Sequence, residues 1–519
     1  PAALEAKPKL IVALSIDQFS GQLCREYRAD FTGGLKRLSE GVVFAQGYQA
    51  HGGTETCPGH STILTGAHPA RTGIVANDWV DFNAPRADKA VYCAEDERVP
   101  GSTSSAFTVS PYHLQVPALG DRMKAADPKS RVVAVAGKDR SAVMMGGHGP
   151  DQRWWWRKDR FVTHEGQAPA PIAAKVNASI AHALAEARPA MTPPPLCAPR
   201  NRAIDIGAHK TVGTYRFERA AGDAVAFSRS PELDAATLAM AAALAEEMKL
   251  GRGEATDLLA VSLSATDYVG HRYGTEGVEM CLQLTTLDAD LGAFLAELDK
   301  TGVDYVVTLT ADHGGMDLPE RARLQGVADA ARIDPALKPD AVGQRVAAEM
   351  GLADSVFAGD WYLTPSVPAP RRAEALAIAE QILRASPQVA EVFTAAEVAA
   401  HPLPTGPAER WTILDRQRAS YFPGRSGDLM VTLKEHITPI ADPVSGSVAT
   451  HGSAWDHDRN VPILFWWKGI AAEDRADSAK TVDIMPTLAS LIGLPVPAAE
   501  IDGHCLDIVA GPESNCTAR

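Results

Sequence analysis

Leu10-Ile11-Val12-Ala13-Leu14-Ser15-Ile16 is an almost unbroken apolar run that stops at Asp17. A strand covered on both faces reads this way, because a parallel sheet lying between helices buries side chains on either side. The pattern returns three times: residues 131–137 (RVVAVAG) before Lys138, residues 258–265 before Asp267, and residues 305–311 before Asp312. In each case a polar residue with chemistry to offer follows the strand. Ligands of open α/β sheets sit at the carboxyl ends of the strands, so these four endings are expected to converge on one crevice. Amphipathic helical stretches fall at residues 116–124, 233–248, 277–298 and 484–494, and later strands are expected at 428–433 and 461–467. This alternation predicts an α/β fold with a mostly parallel central sheet and helices on both faces.

Two regions interrupt the alternation. One spans about 78–110 and resumes over about 150–231, including Trp154-Trp155-Trp156; the other covers about 316–427. Both are expected to be insertions capping the crevice of a single domain over residues 1–519, with the tryptophans in the cap core. The 50 basic and 64 acidic residues give a net charge of −14, which argues against a nucleic-acid or anionic-membrane partner. A phosphate site in such a chain must be made positive locally. No run approaches the roughly 18 apolar residues of a membrane span. The seven cysteines leave at least one unpaired, and Cys505 with Cys516 and Cys93 with Cys197 are candidate disulfides whose connectivity the sequence does not decide.

Asp267 and His271 are spaced i, i+4, so a helix after the strand would put both on one face, where they could share an ion. Asp312 and His313 are adjacent at a strand end, His451 lies in Thr450-His451-Gly452 before an apolar strand, and Asp17 ends the first strand. Singly, these read as a solvated helix face, a plain turn and an N-cap. Together they form oxygen and imidazole ligand sets without cysteine, which suit catalytic zinc. Thr56 stands at the start of a short helix with Pro58 in its first turn and Gly66 at its end, where positive potential favours an alkoxide and the phosphate it attacks. Cys57 is a rival nucleophile. The sulfatase pattern around it fails, because Pro58 follows directly and His60 stands where an arginine is needed, so Cys57 reads as a small buried residue. Lys138 and Arg140 aim two cations at one small site, which suits a dianionic monoester better than a diester.

Asp17, Thr56 within Thr-x-Thr-Cys-Pro-Gly-His-Ser-Thr, Asn77, Asp267-x-x-x-His271, Asp312-His313-Gly314-Gly315 and His451-Gly452 resemble the alkaline phosphatase superfamily in its nucleotide pyrophosphatase/phosphodiesterase-like branch. Lys138-x-Arg140 and the Thr56-to-Asn77 spacing resemble its phosphate-irrepressible, PafA-type bacterial members. The resemblance implies two Zn2+ per chain, one held by Asp267, His271 and His451 and the other by Asp17, Asp312 and His313 with Thr56. It implies that Asn77, Lys138 and Arg140 hold the phosphoryl group, and that Thr56 forms a phosphothreonine during hydrolysis of many phosphate monoesters to inorganic phosphate. Weaker diesterase activity, a monomeric state and a periplasmic or secreted location, with a leader removed before Pro1, are further expectations. The alternative is a phosphodiesterase or nucleotide pyrophosphatase on the same metal site; a silent zinc or phosphate binder is a third class.

Overall fold

The structure, a computed structural model, describes residues 7–509 and 514–516. At its centre lies a nine-stranded sheet: β1 (Leu10–Ile16), β2 (Val42–Tyr48), β3 (Val132–Ala136), β4 (Gln152–Arg157), β5 (Arg160–Val162), β6 (Asp257–Leu263), β7 (Tyr305–Thr310), β8 (Ile463–Trp467) and β9 (Glu473–Lys480). Their order is β9-β2-β8-β7-β1-β6-β3-β4-β5. β1 sits mid-sheet, parallel to β6 on one side and β7 on the other. Its alternate residues explain the unbroken apolar pattern. Leu10, Val12, Leu14 and Ile16 enter the larger core with helices Pro231–Glu247 and Val278–Lys300, while Ile11 and Ala13 enter a second core with helices Leu119–Ala126 and Ile484–Leu491.

Register fixes where the chemistry emerges. Ile16 lies opposite Leu263 and Ser15 opposite Thr310, so the chain leaves the sheet at one level before Asp17, Asp267 and Asp312. Ser262 pairs with Ala136, which brings Lys138 to the same edge.

The structure corrects several expectations. Residues 152–162 supply β4 and β5, the last two strands at one end of the central sheet, so the tryptophan triplet packs in the sheet: Trp154 and Trp156 face the larger core and Trp155 the opposite side. The central sheet is mostly parallel as expected, with β8 antiparallel to both its neighbours, β7 and β2, and β5 antiparallel to β4. The strand expected near 428–433 is Leu429–Leu433, but it pairs with Val389–Thr394 in a separate two-stranded sheet. Leu429 packs there in one buried cluster with Val342, Val346, Leu383 and Val392, so this stretch has a hydrophobic core of its own.

One buried carboxylate ties the layers together. Asp288, on helix Val278–Lys300, accepts the backbone N–H groups of Thr32, Gly33 and Leu35 at 2.7 Å each and of Lys36 at 3.3 Å. It thereby caps helix Gly34–Leu38, whose own N-cap, Gly33, has no side chain to do so. Asp288→Ala is expected to cost about 2–4 kcal/mol, because several buried donors lose a charged acceptor at once. A denaturant titration at matched slope checks this.

Candidate active site

The strand ends deliver two ligand groups, Asp267 with His271 and His451, and Asp17 with Asp312 and His313; within each group the donor atoms lie within 4.8 Å of one another. Helix Ala265–Tyr273 follows β6 and turns Asp267 and His271 to one face, with His271 Nε2 3.2 Å from Asp267 Oδ1. His451 Nε2 lies 3.3 Å from the same oxygen. In the other group His313 Nε2 is 3.2 Å from Asp312 Oδ2 and 3.4 Å from Asp17 Oδ1. The His313 and His451 rings stack at 3.5 Å, so the groups adjoin.

Each imidazole is aimed from behind. His271 Nδ1 meets Ala449 O at 3.0 Å, His313 Nδ1 meets Gly314 O at 2.8 Å, and His451 Nδ1 meets Thr54 O at 2.8 Å. A carbonyl at Nδ1 demands the proton there and leaves the Nε2 lone pair for a ligand, the usual second-layer support of a metal-bound histidine. Asp17 Oδ1, Asp312 Oδ2 and His313 Nε2 are buried without a hydrogen-bond partner among the described residues. Burial, then the neighbouring Asp267 and Asp312, lift the Asp17 carboxyl to about 7. His313 rises to about 9 although burial opposes it, because Asp312 and Asp17 favour its cation. Buried oxygens and ring nitrogens without thiolates, with ligand atoms left unpaired, fit a divalent cation of the zinc kind.

Lys138 lies between the two ligand groups. Its Nζ lies 2.7 Å from Asp17 Oδ2 and 2.5 Å from Asp267 Oδ2, bridging the two ligand groups. Although burial pulls it down, these carboxylates hold its pKa above the usual lysine value. Arg140 differs. Its Nη1 reaches Tyr92 Oη at 3.4 Å, its Nε has no partner, and it forms no carboxylate ion pair among the described residues. Asn77 Oδ1 accepts the Cys57 N–H at 2.8 Å, which sets it beside Thr56.

Thr56 opens helix Thr56–Ile63 and is buried. The helix is clamped against the ligand strand. An added Cβ at Gly59 would lie 1.9 Å from Asp312 O, so only glycine admits this approach. His60 Nδ1 faces Thr56 O at 2.9 Å and Asp312 Oδ2 at 3.1 Å, and its Nε2 meets Ser262 Oγ at 2.8 Å. Helix Asp139–Gly146, carrying Arg140, packs on the same helix.

Three supporting residues carried no role in the sequence reading. His60 is one. Gln18, at φ 65°, donates its backbone N–H to Asp312 Oδ1 at 3.2 Å and Nε2 to Asp267 Oδ1 at 3.0 Å, touching both groups. Gly270 makes room for it, since a Cβ there would lie 1.5 Å from Gln18 Oε1. Asp234 accepts the Ala265 N–H at 3.0 Å and so caps the helix of Asp267 and His271. Position next to Asp17 was the one available signal for Gln18.

The disulfides are Cys57–Cys93, Cys197–Cys281 and Cys505–Cys516. The last matches expectation; Cys93 with Cys197 does not, because Cys93 backs onto the Thr56 helix while Cys197 faces helix Val278–Lys300. Cys57 is buried as expected, but as half of a disulfide, which removes it as a nucleophile.

The family profile of type I phosphodiesterases / nucleotide pyrophosphatases matches residues 11–454, and the chain belongs to that family. It is 53% identical over 521 residues to alkaline phosphatase PhoK of a Sphingomonas species, covering 99% of this chain and 93% of that one. It is 47% identical to alkaline phosphatase PhoD of Zymomonas mobilis, covering 98% and 90% of the two chains. The crystal structure of alkaline phosphatase PafA matches with a TM-score of 0.84 at 25% identity over 98% of this chain and 99% of that one. These relatives are alkaline phosphatases, hence phosphoric monoester hydrolases, and this chain stands among them.

Proposed function

We propose that the chain is a two-zinc alkaline phosphatase that passes the phosphoryl group of phosphate monoesters first to Thr56 and then to water. One observation carries the reading: two adjoining ligand groups and a threonine opening a helix are joined by Arg140, whose own helix packs on the threonine's helix and whose guanidinium forms no carboxylate ion pair among the described residues. A cation kept in this state is suited to the extra charge of a monoester.

Asp267, His271 and His451 would hold one ion and Asp17, Asp312 and His313 the other. Bound zinc supplies Lewis acidity and concentrated positive charge for the oxygens of the reaction. The Thr56 hydroxyl oxygen forms its bond to phosphorus as the bond to the leaving oxygen breaks in line, and the hydroxyl proton is lost to solvent. Arg140 and the free NH2 of Asn77 hold non-bridging oxygens, where charge spreads in the transition state. Lys138 keeps Asp17 and Asp267 aligned and adds positive potential at the edge of the phosphoryl site. Water then attacks the phosphothreonine from the side the leaving group vacated. Two inversions give retention at phosphorus. The enzyme acts as a monomer on a broad range of monoesters, releases inorganic phosphate and has weaker diesterase activity. Three disulfides favour a periplasmic or secreted location. Pro1, on which the expectation of a removed leader rested, lies outside the described residues.

The test is the ratio of kcat/KM for p-nitrophenyl phosphate to that for bis-p-nitrophenyl phosphate on zinc-loaded protein at alkaline pH. A ratio far above one supports the monoesterase; a ratio below one makes this a phosphodiesterase on the same metals. Arg140→Ala and Lys138→Ala are each expected to cut monoester turnover by about a hundredfold and diester turnover by much less. Equal losses on both esters would remove the role given to that residue.

A further inference from the structure

Segment 78–110, expected from the sequence to cap the crevice, contains two consecutive residues that reach Arg140 and Asn77. Strands Asp78–Val80 and Ala90–Tyr92 pair antiparallel with Asp78 opposite Tyr92, so this hairpin starts immediately after Asn77 and its return arm ends beside it. The Tyr92 hydroxyl donates to Asp139 Oδ1 at 2.6 Å and accepts from Arg140 Nη1 at 3.4 Å. Cys93 donates its N–H to Asn77 O at 2.9 Å and is bonded to Cys57, whose N–H donates to Asn77 Oδ1 at 2.8 Å. The two halves of one disulfide thus hold Asn77 by main chain and side chain, while the adjacent residue holds Arg140. Cys57, Trp79, Val91, Tyr92 and Cys93 share one small buried core, so the hairpin cannot tilt without moving both phosphoryl contacts.

We propose that Tyr92 and the Cys57–Cys93 disulfide are positioning residues of the phosphoryl-transfer site, joining Arg140 and Asn77 into one rigid anion cradle. This rests on the reading of Arg140 and Asn77 as phosphoryl-binding residues. The hairpin fixes the spacing of donors that lie far apart in the chain, and rigid spacing limits the ordering that an anion must otherwise impose on binding.

The probe is inorganic phosphate, its dissociation constant measured calorimetrically on the zinc-loaded enzyme. Tyr92→Phe deletes only the hydroxyl and is expected to weaken phosphate binding about tenfold. In an Arg140→Ala background the same change is expected to matter less than about twofold, since coupled residues do not add. Cys57→Ala with Cys93→Ala is expected to weaken binding similarly, an increment that vanishes over Asn77→Ala, while the melting temperature drops equally in both backgrounds. Tyr92→Phe decides alone if the cysteine variant does not fold. No weakening in the otherwise wild-type protein, or increments that persist over Arg140→Ala and Asn77→Ala, overturn the proposal and leave the hairpin a strut. Arg140→Ala and Asn77→Ala that themselves leave phosphate binding unchanged overturn the underlying reading, and the proposal with it.

Discussion

Thr56→Ala is expected to lower kcat/KM for p-nitrophenyl phosphate by roughly three orders of magnitude or more, by the scale seen when a covalent nucleophile is removed. The structure makes the loss hard to evade. Helix Thr56–Ile63 is wedged against Asp312 through Gly59 and pinned by His60, so its backbone has no freedom to bring another nucleophile into place. Cys57 is no substitute, being bonded to Cys93. Metal content should be largely retained, because the three Asp and His residues of each ligand group remain when the hydroxyl is removed. Thr56→Ser should retain far more activity than alanine, and intact mass of acid-quenched enzyme should show a phosphate adduct on wild type alone. An alanine variant within tenfold of wild type would sink the covalent route.

Stripping the protein with a chelator is the second large effect: activity is expected to fall to background and to return on adding zinc. The argument is electrostatic. Asp17, Asp267 and Asp312 converge in a buried space where Lys138 provides one ammonium bridging Asp17 and Asp267, and the group of Asp17, Asp312 and His313 keeps a ligand atom on each residue without a hydrogen-bond partner among the described residues. A dication in each group would replace costly proton sharing with coordination. Because such an ion binds the folded chain, stability should follow: a thousandfold excess over the dissociation constant adds about 4 kcal/mol per site. Elemental analysis giving two zinc per chain before stripping, with a melting temperature that falls and recovers alongside activity, would bear this out. Full activity in demonstrably metal-free protein would end the metal reading.

The strands that carry the site were legible because both their faces are buried, so each wrote an apolar run ending in a polar residue. β9 was not. Its sequence, Glu473-Asp474-Arg475-Ala476-Asp477-Ser478-Ala479-Lys480, lies at the sheet edge and is largely exposed, leaving no hydrophobic pattern to read. The direction of β8 was hidden for a different reason. An apolar run states burial but not polarity of pairing, and β8 is antiparallel to both neighbours. Within the site, the candidate Asp and His ligands were recognisable by residue type and spacing, and the structure brings those six into two groups, while Thr56, the seventh candidate, is in neither. Gln18, His60 and Asp234 were not recognisable as supports, because their partners Asp267, Asp312, Ser262 and Ala265 come from other segments that only folding brings near. Cys57–Cys93 and Cys197–Cys281 were unreadable on the same ground.

Gly59 and Gly270 have a consequence for how this sequence can vary. Gly59 packs on the backbone of the ligand residue Asp312, so a methyl group there would strike Asp312 O, whereas at Gly270 it would meet Oε1 at the end of the Gln18 side chain. A saturation scan of the gene should therefore find Gly59 as intolerant as the ligands themselves, and Gly270 less so because the Gln18 side chain can shift. Libraries meant to alter substrate preference should leave Gly59 untouched and place their diversity at exposed positions away from helix Thr56–Ile63 and the hairpin of Tyr92 and Cys93, where the clearance between nucleophile and ligand strand is not at stake.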